Sequence, residues 1–262
     1  MTKTPIAYYG GKQTMIKTIL PLIPKHEVYT EAFFGGGAIF FAKQPVKSEV
    51  INDLNNLVVN FYEVVQTNFE NLKAKIESTP FSRTTYCVAY TMYRMPHLFS
   101  KLNLAWAFYV ATNMGFSAQI GSWAYDKYGK RNRGFQNKKM QFTDEIFDRL
   151  QFTEIECNDA CKVIASRDSE KTFHYVDPPY IDMNQGHYKG YTREDFQRLL
   201  ETLSNLKGKF LLSSYGSDIL TEYSIKNKWF TKTIEKPLSA YKAETGLKRR
   251  KRIEVLTANY TI

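Results

Sequence analysis

Two consecutive prolines after an apolar run constrain this chain more than any other feature. Thr172-Phe173-His174-Tyr175-Val176 has the composition of a buried strand, and Asp177-Pro178-Pro179-Tyr180 follows it directly. Proline lacks the amide that a sheet ladder requires, and its ring obstructs a helix interior, so the backbone must leave the sheet here. A carboxylate is thereby fixed at the carboxyl end of a strand, with an aromatic ring three residues on. In an open α/β sheet that edge is where ligands bind. An acidic acceptor, a rigid main-chain carbonyl and a flat stacking face are what a planar ring with an exocyclic amine needs. A turn after a strand would account for one proline; it would not account for the carboxylate, both prolines and the aromatic together.

The flanking sequence has the matching pattern. Val28-Tyr29-Thr30-Glu31-Ala32 reads as a short buried strand, ended by Gly35-Gly36-Gly37, and Ala38-Ile39-Phe40-Phe41 opens a helix. Val50-Ile51 forms a second strand closing on Asn52-Asp53. Residues 54–76 then carry Leu57, Val58, Phe61, Val64, Val65, Phe69, Leu72 and Ile76 at near-helical spacing, which predicts one helix. Strand, glycine turn, helix, strand, acid, helix is the first half of a nucleotide-binding α/β unit.

The middle of the chain differs. Residues 80–118 are aromatic-rich and helical in pattern, with Leu104, Phe108 and Ala111 on one face. Residues 119–140 are polar, basic and punctuated by glycine, predicting a hairpin or mobile loop rather than a helix. The expected organisation is a domain formed by 1–76 and 146–262, interrupted by an insertion domain at 77–145. The α/β pattern resumes with a strand near 152–156, a helix from Asp159, and the strand before Asp177. Thr192-Arg193-Glu194-Asp195 resembles a capping box opening a helix, and Phe210-Leu211-Leu212-Ser213 is the next strand. Residues 229–234 and 253–260 are too close in sequence for a helical crossover, so they are expected to pair antiparallel.

Composition narrows the partners. Lys plus Arg number 36 against 26 Asp plus Glu, a formal charge of +10, which suits a polyanion. The distribution is more telling than the total. Lys127, Lys130, Arg131, Arg133, Lys138 and Lys139 follow Asp126, their only opposing acid, and lie beside Trp123, Tyr125 and Tyr128. A second cluster, Lys248-Arg249-Arg250-Lys251-Arg252, enters the last predicted strand. No apolar stretch approaches the ~20 residues of a membrane span, and Met1-Thr2-Lys3-Thr4-Pro5 lacks a secretory apolar region. Cys87, Cys157 and Cys161 form no zinc-like or disulfide framework, so a reducing cytoplasm is expected, with Cys157 and Cys161 as small core residues.

Several chemistries lack their residues. The glycine run allows a ligand close to the backbone, but it departs from the full dinucleotide fingerprint. No Walker lysine follows it, there is no Gly-x-Ser-x-Gly elbow, and the four histidines show no metal spacing, so no metal is expected. Asp53, ending the second strand, is placed either to accept from ribose hydroxyls or to cap the helix beginning at Leu54.

Tyr8-Tyr9-Gly10-Gly11-Lys12, Glu31-Ala32-Phe33-Phe34-Gly35-Gly36-Gly37, Asn52-Asp53, Asn158-Asp159, Asp177-Pro178-Pro179-Tyr180 and Lys251-Arg252-Ile253-Glu254-Val255-Leu256 occur in an order that resembles the Dam-type DNA adenine-N6 methyltransferases. The resemblance covers most of the chain and is weakest between about 77 and 150. It implies a Rossmann-like fold, with a mixed seven-stranded sheet, helices on both faces, and a mostly helical insertion bearing a basic hairpin for target recognition. It implies S-adenosylmethionine as donor, with Tyr8 and Lys12 beside it, Gly35 and Gly37 around its methionine portion, Asp53 on the ribose and Asp159 near its adenine. Asp177 lines the cofactor too, and with Pro178 and Tyr180 faces the target base. Double-stranded DNA is the implied partner, held by Lys127, Lys130, Arg131, Arg133, Lys248 and Arg249; a cognate restriction enzyme is compatible with this.

The implied chemistry is direct transfer to an amino group of a flipped adenine. No covalent nucleophile is needed, in keeping with the absence of the Pro-Cys motif that cytosine-C5 methylation requires. One departure stands out: where the Dam-type pattern carries a guanine-reading arginine after a segment like Asn113-Met114-Gly115-Phe116, this chain has Gly121, which puts a GATC target in doubt. The alternatives are cytosine-N4 or RNA adenine methylation, and a non-catalytic DNA-binding module; the intact tetrapeptide with Lys12 and Asp53 argues against the last.

Overall fold

The computed structural model describes residues 2–116, 120–180, 191–237 and 251–262. Seven strands, β1 (Val28–Glu31), β2 (Ser48–Asn52), β3 (Thr153–Glu156), β4 (Thr172–Val176), β5 (Lys209–Tyr215), β6 (Phe230–Pro237) and β7 (Lys251–Ala258), form one sheet in the order β3-β2-β1-β4-β5-β7-β6. The first five in that order are parallel, and β7 lies antiparallel between β5 and β6. The chain builds outward from β1 to β3, then returns to β4 on the other side of β1. The order therefore reverses between β1 and β4, whose ends are in register at Glu31 and Tyr175. A crevice at the carboxyl ends of two such strands is where a doubly wound sheet binds its ligand.

Both faces of the sheet are covered. On β5, Leu211 joins one core cluster, whereas Phe210 and Leu212 join a second, the alternation of a strand buried on each side. The second cluster is closed by α9 (Ala160–Ser166), α10 (Arg193–Ser204) and α11 (Asp218–Lys226). The capping box on α10 is present, with Thr192 and Asp195 exchanging bonds. The first cluster is closed by α1 (Ile16–Ile19), α2 (Ala38–Ala42), α3 (Asn56–Thr67) and α4 (Phe69–Glu77), and extends into α5 (Arg83–Arg94), α6 (Lys101–Met114), α7 (Lys130–Met140) and α8 (Asp144–Leu150). Helix α6 is buried almost all round, from Ala105 to Thr112.

Three sequence expectations are corrected. The helix expected over 54–76 is two helices, because Asn68 leaves helical geometry at φ −148°, ψ 41°. In the stretch 119–140, expected to be a basic hairpin, residues Lys130–Met140 form a helix, α7. Gly129 turns into it in the left-handed region, and the Asp126 carboxylate accepts from the amides of Tyr128, Lys130 and Arg131. The sole acid of that segment thus takes up the first free amides of α7 from ahead of its N-cap, Gly129, as well as facing Arg133. Among the described residues, hairpin character is confined to the bridge between Gly115 and Trp123 and the flanking bonds Phe116 N to Ser122 O and Ala124 N to Met114 O. Finally, Cys157 is exposed and Cys161 half-buried, so neither is a core residue. No helix among the described residues is long and apolar enough to cross a membrane.

Candidate active site

The loops leaving β1, β2 and β3 are tied together by one side chain. Asn52 is buried; its amide nitrogen donates to Ala32 O (2.9 Å) and Asn158 O (3.0 Å), and its oxygen accepts from the Asn158 amide (2.9 Å). Asp53 continues this work: Oδ2 accepts from the Gly35 amide and Oδ1 from the Asn55 amide, each at 2.8 Å. The cap of α3 is Asn55, which accepts from Leu57 N, so Asp53 is not the helix cap. Asp53 instead fixes the glycine turn.

That turn is crowded. Gly35 has φ +48°, and a Cβ there would lie 2.7 Å from the Tyr8 ring; at Gly37 (φ +64°) it would lie 2.4 Å from the Phe34 ring. Glycine is required on both counts. The segment carrying Tyr8 and Lys12 is anchored from the helical region by Asn113, whose side chain accepts from Ala7 N (3.1 Å) and donates to Pro5 O (3.2 Å).

Two adjoining hollows result. A narrow cleft of about 50 Å³ is lined by Tyr8, Lys12, Gly35, Gly37, Asp177, Pro178 and Tyr180, which are seven of the sequence-derived site residues. A roomier cavity of about 440 Å³ is lined by Asp53, Asp159 and Cys161, among others. Phe33 and Pro179 wall both. Asp159 caps α9 through Lys162 N and pairs with Arg198 at 2.7 Å. Burial raises its carboxyl, but the Arg198 partner and the capping bonds outweigh that and hold it below the ordinary aspartate value.

The charges at the cleft are concentrated and buried. Lys12 Nζ donates to both Asp177 oxygens (2.6 and 2.8 Å) and to the Tyr180 hydroxyl (2.8 Å), and lies 3.3 Å from Glu254. The Tyr180 hydroxyl donates to Glu254 Oε1 at 2.5 Å, and Ser213 Oγ donates to the same oxygen at 2.8 Å. Burial pushes the Lys12 pKa down, and the two carboxylates more than offset it, leaving it above the usual lysine value. Burial, then Asp177 and Glu254, push the Tyr180 phenol well up, so it stays protonated. Glu31, behind the cleft, accepts from Tyr29 Oη (2.6 Å) and Phe40 N (3.2 Å); burial lifts its pKa to about 8, leaving it mostly protonated at neutral pH. Two carboxylates against one ammonium give the cleft a net negative charge. Behind Tyr180, Tyr215 stacks at 4.0 Å with planes 21° apart and fixes the ring's orientation.

A sequence profile of the D12 class N6 adenine-specific DNA methyltransferases matches residues 8–247 of this chain. The chain belongs to that family. It methylates adenine at N6 in DNA. The type II methyltransferase M1.LlaDCHI of Lactococcus lactis subsp. cremoris is 26% identical over 274 residues, spanning 96% of this chain and 93% of that protein. M.FokI of Planomicrobium okeanokoites, also a type II methyltransferase, is 24% identical across 99% of this chain, which spans 43% of it. The DNA N-6-adenine-methyltransferase of Escherichia phage P1 is 24% identical across 81% of this chain, which spans 30% of it.

The basic residues read from the sequence as DNA contacts line neither hollow where the structure describes them. Lys127, Lys130, Arg131 and Arg133 are exposed around the start of α7. Arg131 lies over the Phe116 ring at 5.8 Å, and Arg133 donates to Tyr128 O at 3.0 Å. Lys138 and Lys139 instead bond to Thr4 O and Thr79 O. Lys248 and Arg249 lie outside the described residues. Arg83, unremarked in the sequence, covers Trp123 at 4.6 Å, and Tyr125 stacks on that tryptophan. Glu254, Ser213 and Tyr215 were missed as site residues. Glu254 had a legible signal: it shares a strand face with Leu256 and Ala258, where a buried acid is out of pattern.

Proposed function

We propose that the enzyme turns its target adenine out of the duplex and methylates it directly at the carboxyl end of β4. In this reading the Asp177 side chain and the Pro178 carbonyl accept the two amino protons. The observation that carries it is the convergence of Asp177, Lys12 and Tyr180 beside the glycine turn at the β1/β4 switch. The amino lone pair of adenine is delocalised into the ring and is a poor nucleophile; two fixed acceptors favour a pyramidal nitrogen. Alignment and electrostatics then suffice without a covalent intermediate. An amine held inside the helix cannot be aligned this way, so the base must be extruded, and Tyr180 gives it a stacking face.

When bound, S-adenosylmethionine supplies a methyl group activated by a positive sulfonium. The residues present fit that group. The cleft's net negative charge suits a cation, side-chain-free Gly35 and Gly37 with Tyr8 bound a narrow channel for the methionine portion, and the larger cavity offers Asp53 to the ribose and Asp159 to the adenine. Lys12 lies where the acceptor side meets that channel.

The segment 77–145 serves as the target-recognition domain in this reading, with Lys127 and Lys130 on phosphates of double-stranded DNA and Arg131 or Arg133 as base readers. Lys248 and Arg249 add further phosphate contacts. Modification beside a cognate restriction enzyme belongs to the same reading, supported by the type II names of M1.LlaDCHI and M.FokI.

Replacing Asp177 by alanine tests the centre. Turnover should fall by at least about 100-fold, the scale of losing a positioned electrostatic partner, with duplex affinity retained. Near-normal turnover in a folded variant ends the assignment.

A further inference from the structure

The buried carboxylate of Glu254 has a place in the cluster that the transfer chemistry above does not use. It projects from β7, a strand paired on both sides, opposite Tyr215 in register. Its Oε1 accepts from the Tyr180 hydroxyl and Ser213 Oγ and lies 3.3 Å from the Lys12 ammonium as an ion pair. Lys12 is therefore shared unequally, held closely by Asp177 and loosely by Glu254, and the Tyr180 hydroxyl bridges the two sides.

A carboxylate that receives an ammonium on both oxygens is a weakened acceptor, because its charge is already largely answered. A second carboxylate within reach gives the ammonium another partner. It can then move off Asp177 when an amine arrives, without becoming a buried unpaired charge. We propose that Glu254 is a positioning residue of the transfer step, acting through Lys12 to release Asp177 as acceptor for the amine proton. The inference rests on the reading of Asp177 as that acceptor. It assigns Glu254 no contact with base or cofactor.

Glu254→Gln preserves volume and an oxygen for Tyr180 and Ser213 but removes the charge. At saturating cofactor, the single-turnover rate of labelled methyl transfer should fall by about tenfold or more while KM for duplex DNA stays within about twofold, the pattern of an interaction expressed only in the transition state. Since Glu254 acts through Lys12, the same substitution in a Lys12→Gln background should cause little further loss. A merely structural Glu254 would give equal losses in both backgrounds, and that result overturns the proposal, as does an unchanged rate for Glu254→Gln alone. Asp177→Ala, measured in parallel, separates the two levels. If it is inactive while Glu254→Gln is fully active, only the role of Glu254 fails. If Asp177→Ala retains turnover, the reading beneath it fails as well.

Discussion

Substituting Gly35 by alanine separates two reasons for a glycine in the turn. The residue has φ +48°, where an L side chain costs about 1–2 kcal/mol. A Cβ would also meet Tyr8 Cδ1 at 2.7 Å and Cε1 at 2.8 Å, so ring and turn must separate by about 0.7 Å to restore ordinary contact. Overpacking of that kind costs typically about 1–3 kcal/mol. Gly10 is the control: its φ is +78°, but a Cβ there meets nothing within 4 Å. Gly10→Ala should therefore show only the backbone cost, and Gly35→Ala roughly twice that or more. Each kcal/mol should lower Tm by about 2–4 °C in a protein of this size. Tyr8 and Gly35 are facing walls of the narrow cleft, so the crowded variant should also lose S-adenosylmethionine affinity, by about tenfold or 1.4 kcal/mol. Thermal melts and titration calorimetry on both variants decide it. Equal destabilisation with equal cofactor affinity would refute the crowding argument.

Other outcomes follow from the charges. The Glu31 carboxyl titrates at about 8 in the fold against 4.5 ordinarily, so its contribution to stability is full at low pH and is lost as pH rises towards 8; Glu31→Gln should flatten the decline of Tm over that window, and parallel curves for the two proteins would contradict it. Asp53→Ala leaves the amides of Gly35 and Asn55 without their acceptor and should weaken cofactor binding by about 1–3 kcal/mol in calorimetry; unchanged binding would limit Asp53 to holding the loop. Arg131→Ala or Arg133→Ala should cost about 1–3 kcal/mol on the preferred duplex alone if the arginine is bidentate to guanine, whereas equal losses on scrambled duplexes would make α7 an electrostatic clamp.

The sheet was legible because its signals are short and local. Prolines end β4, glycines end β1, and the apolar run Phe210-Leu211-Leu212 marks β5, so the strands and their ligand-facing edge were readable locally, whereas the seven-stranded mixed sheet was implied by the family resemblance. The helix α7 was not legible. Its residues are polar on most faces, with Phe135 alone fully buried, and it is held by the Asp126 carboxylate at its first amides, by that one ring, and by bonds of Lys138 and Lys139 to Thr4 O and Thr79 O. Such a helix has little apolar period to read. The two-part helix of 56–77 hid its break for the opposite reason: the apolar period runs on past Asn68, whose backbone turns locally. In the site, the motif residues Tyr8, Lys12, Gly35, Gly37, Asp177, Pro178 and Tyr180 converge on one cleft. The burial of Glu254 was legible from its strand, but that it and Tyr215 meet Tyr180 follows from the β5–β7 antiparallel pairing, which no local pattern encodes. For the same reason Tyr180 read from sequence as a stacking ring, whereas its hydroxyl also joins Lys12 to Glu254.

Expression of the protein in a host lacking DNA methylation, followed by base-resolved mapping of modifications, tests the central claim most directly. The expected result is N6-methyladenine at one short, fixed sequence, absent when Asp177 is alanine. N4-methylcytosine at the mapped sites, or no modified DNA base from a folded protein, would contradict it.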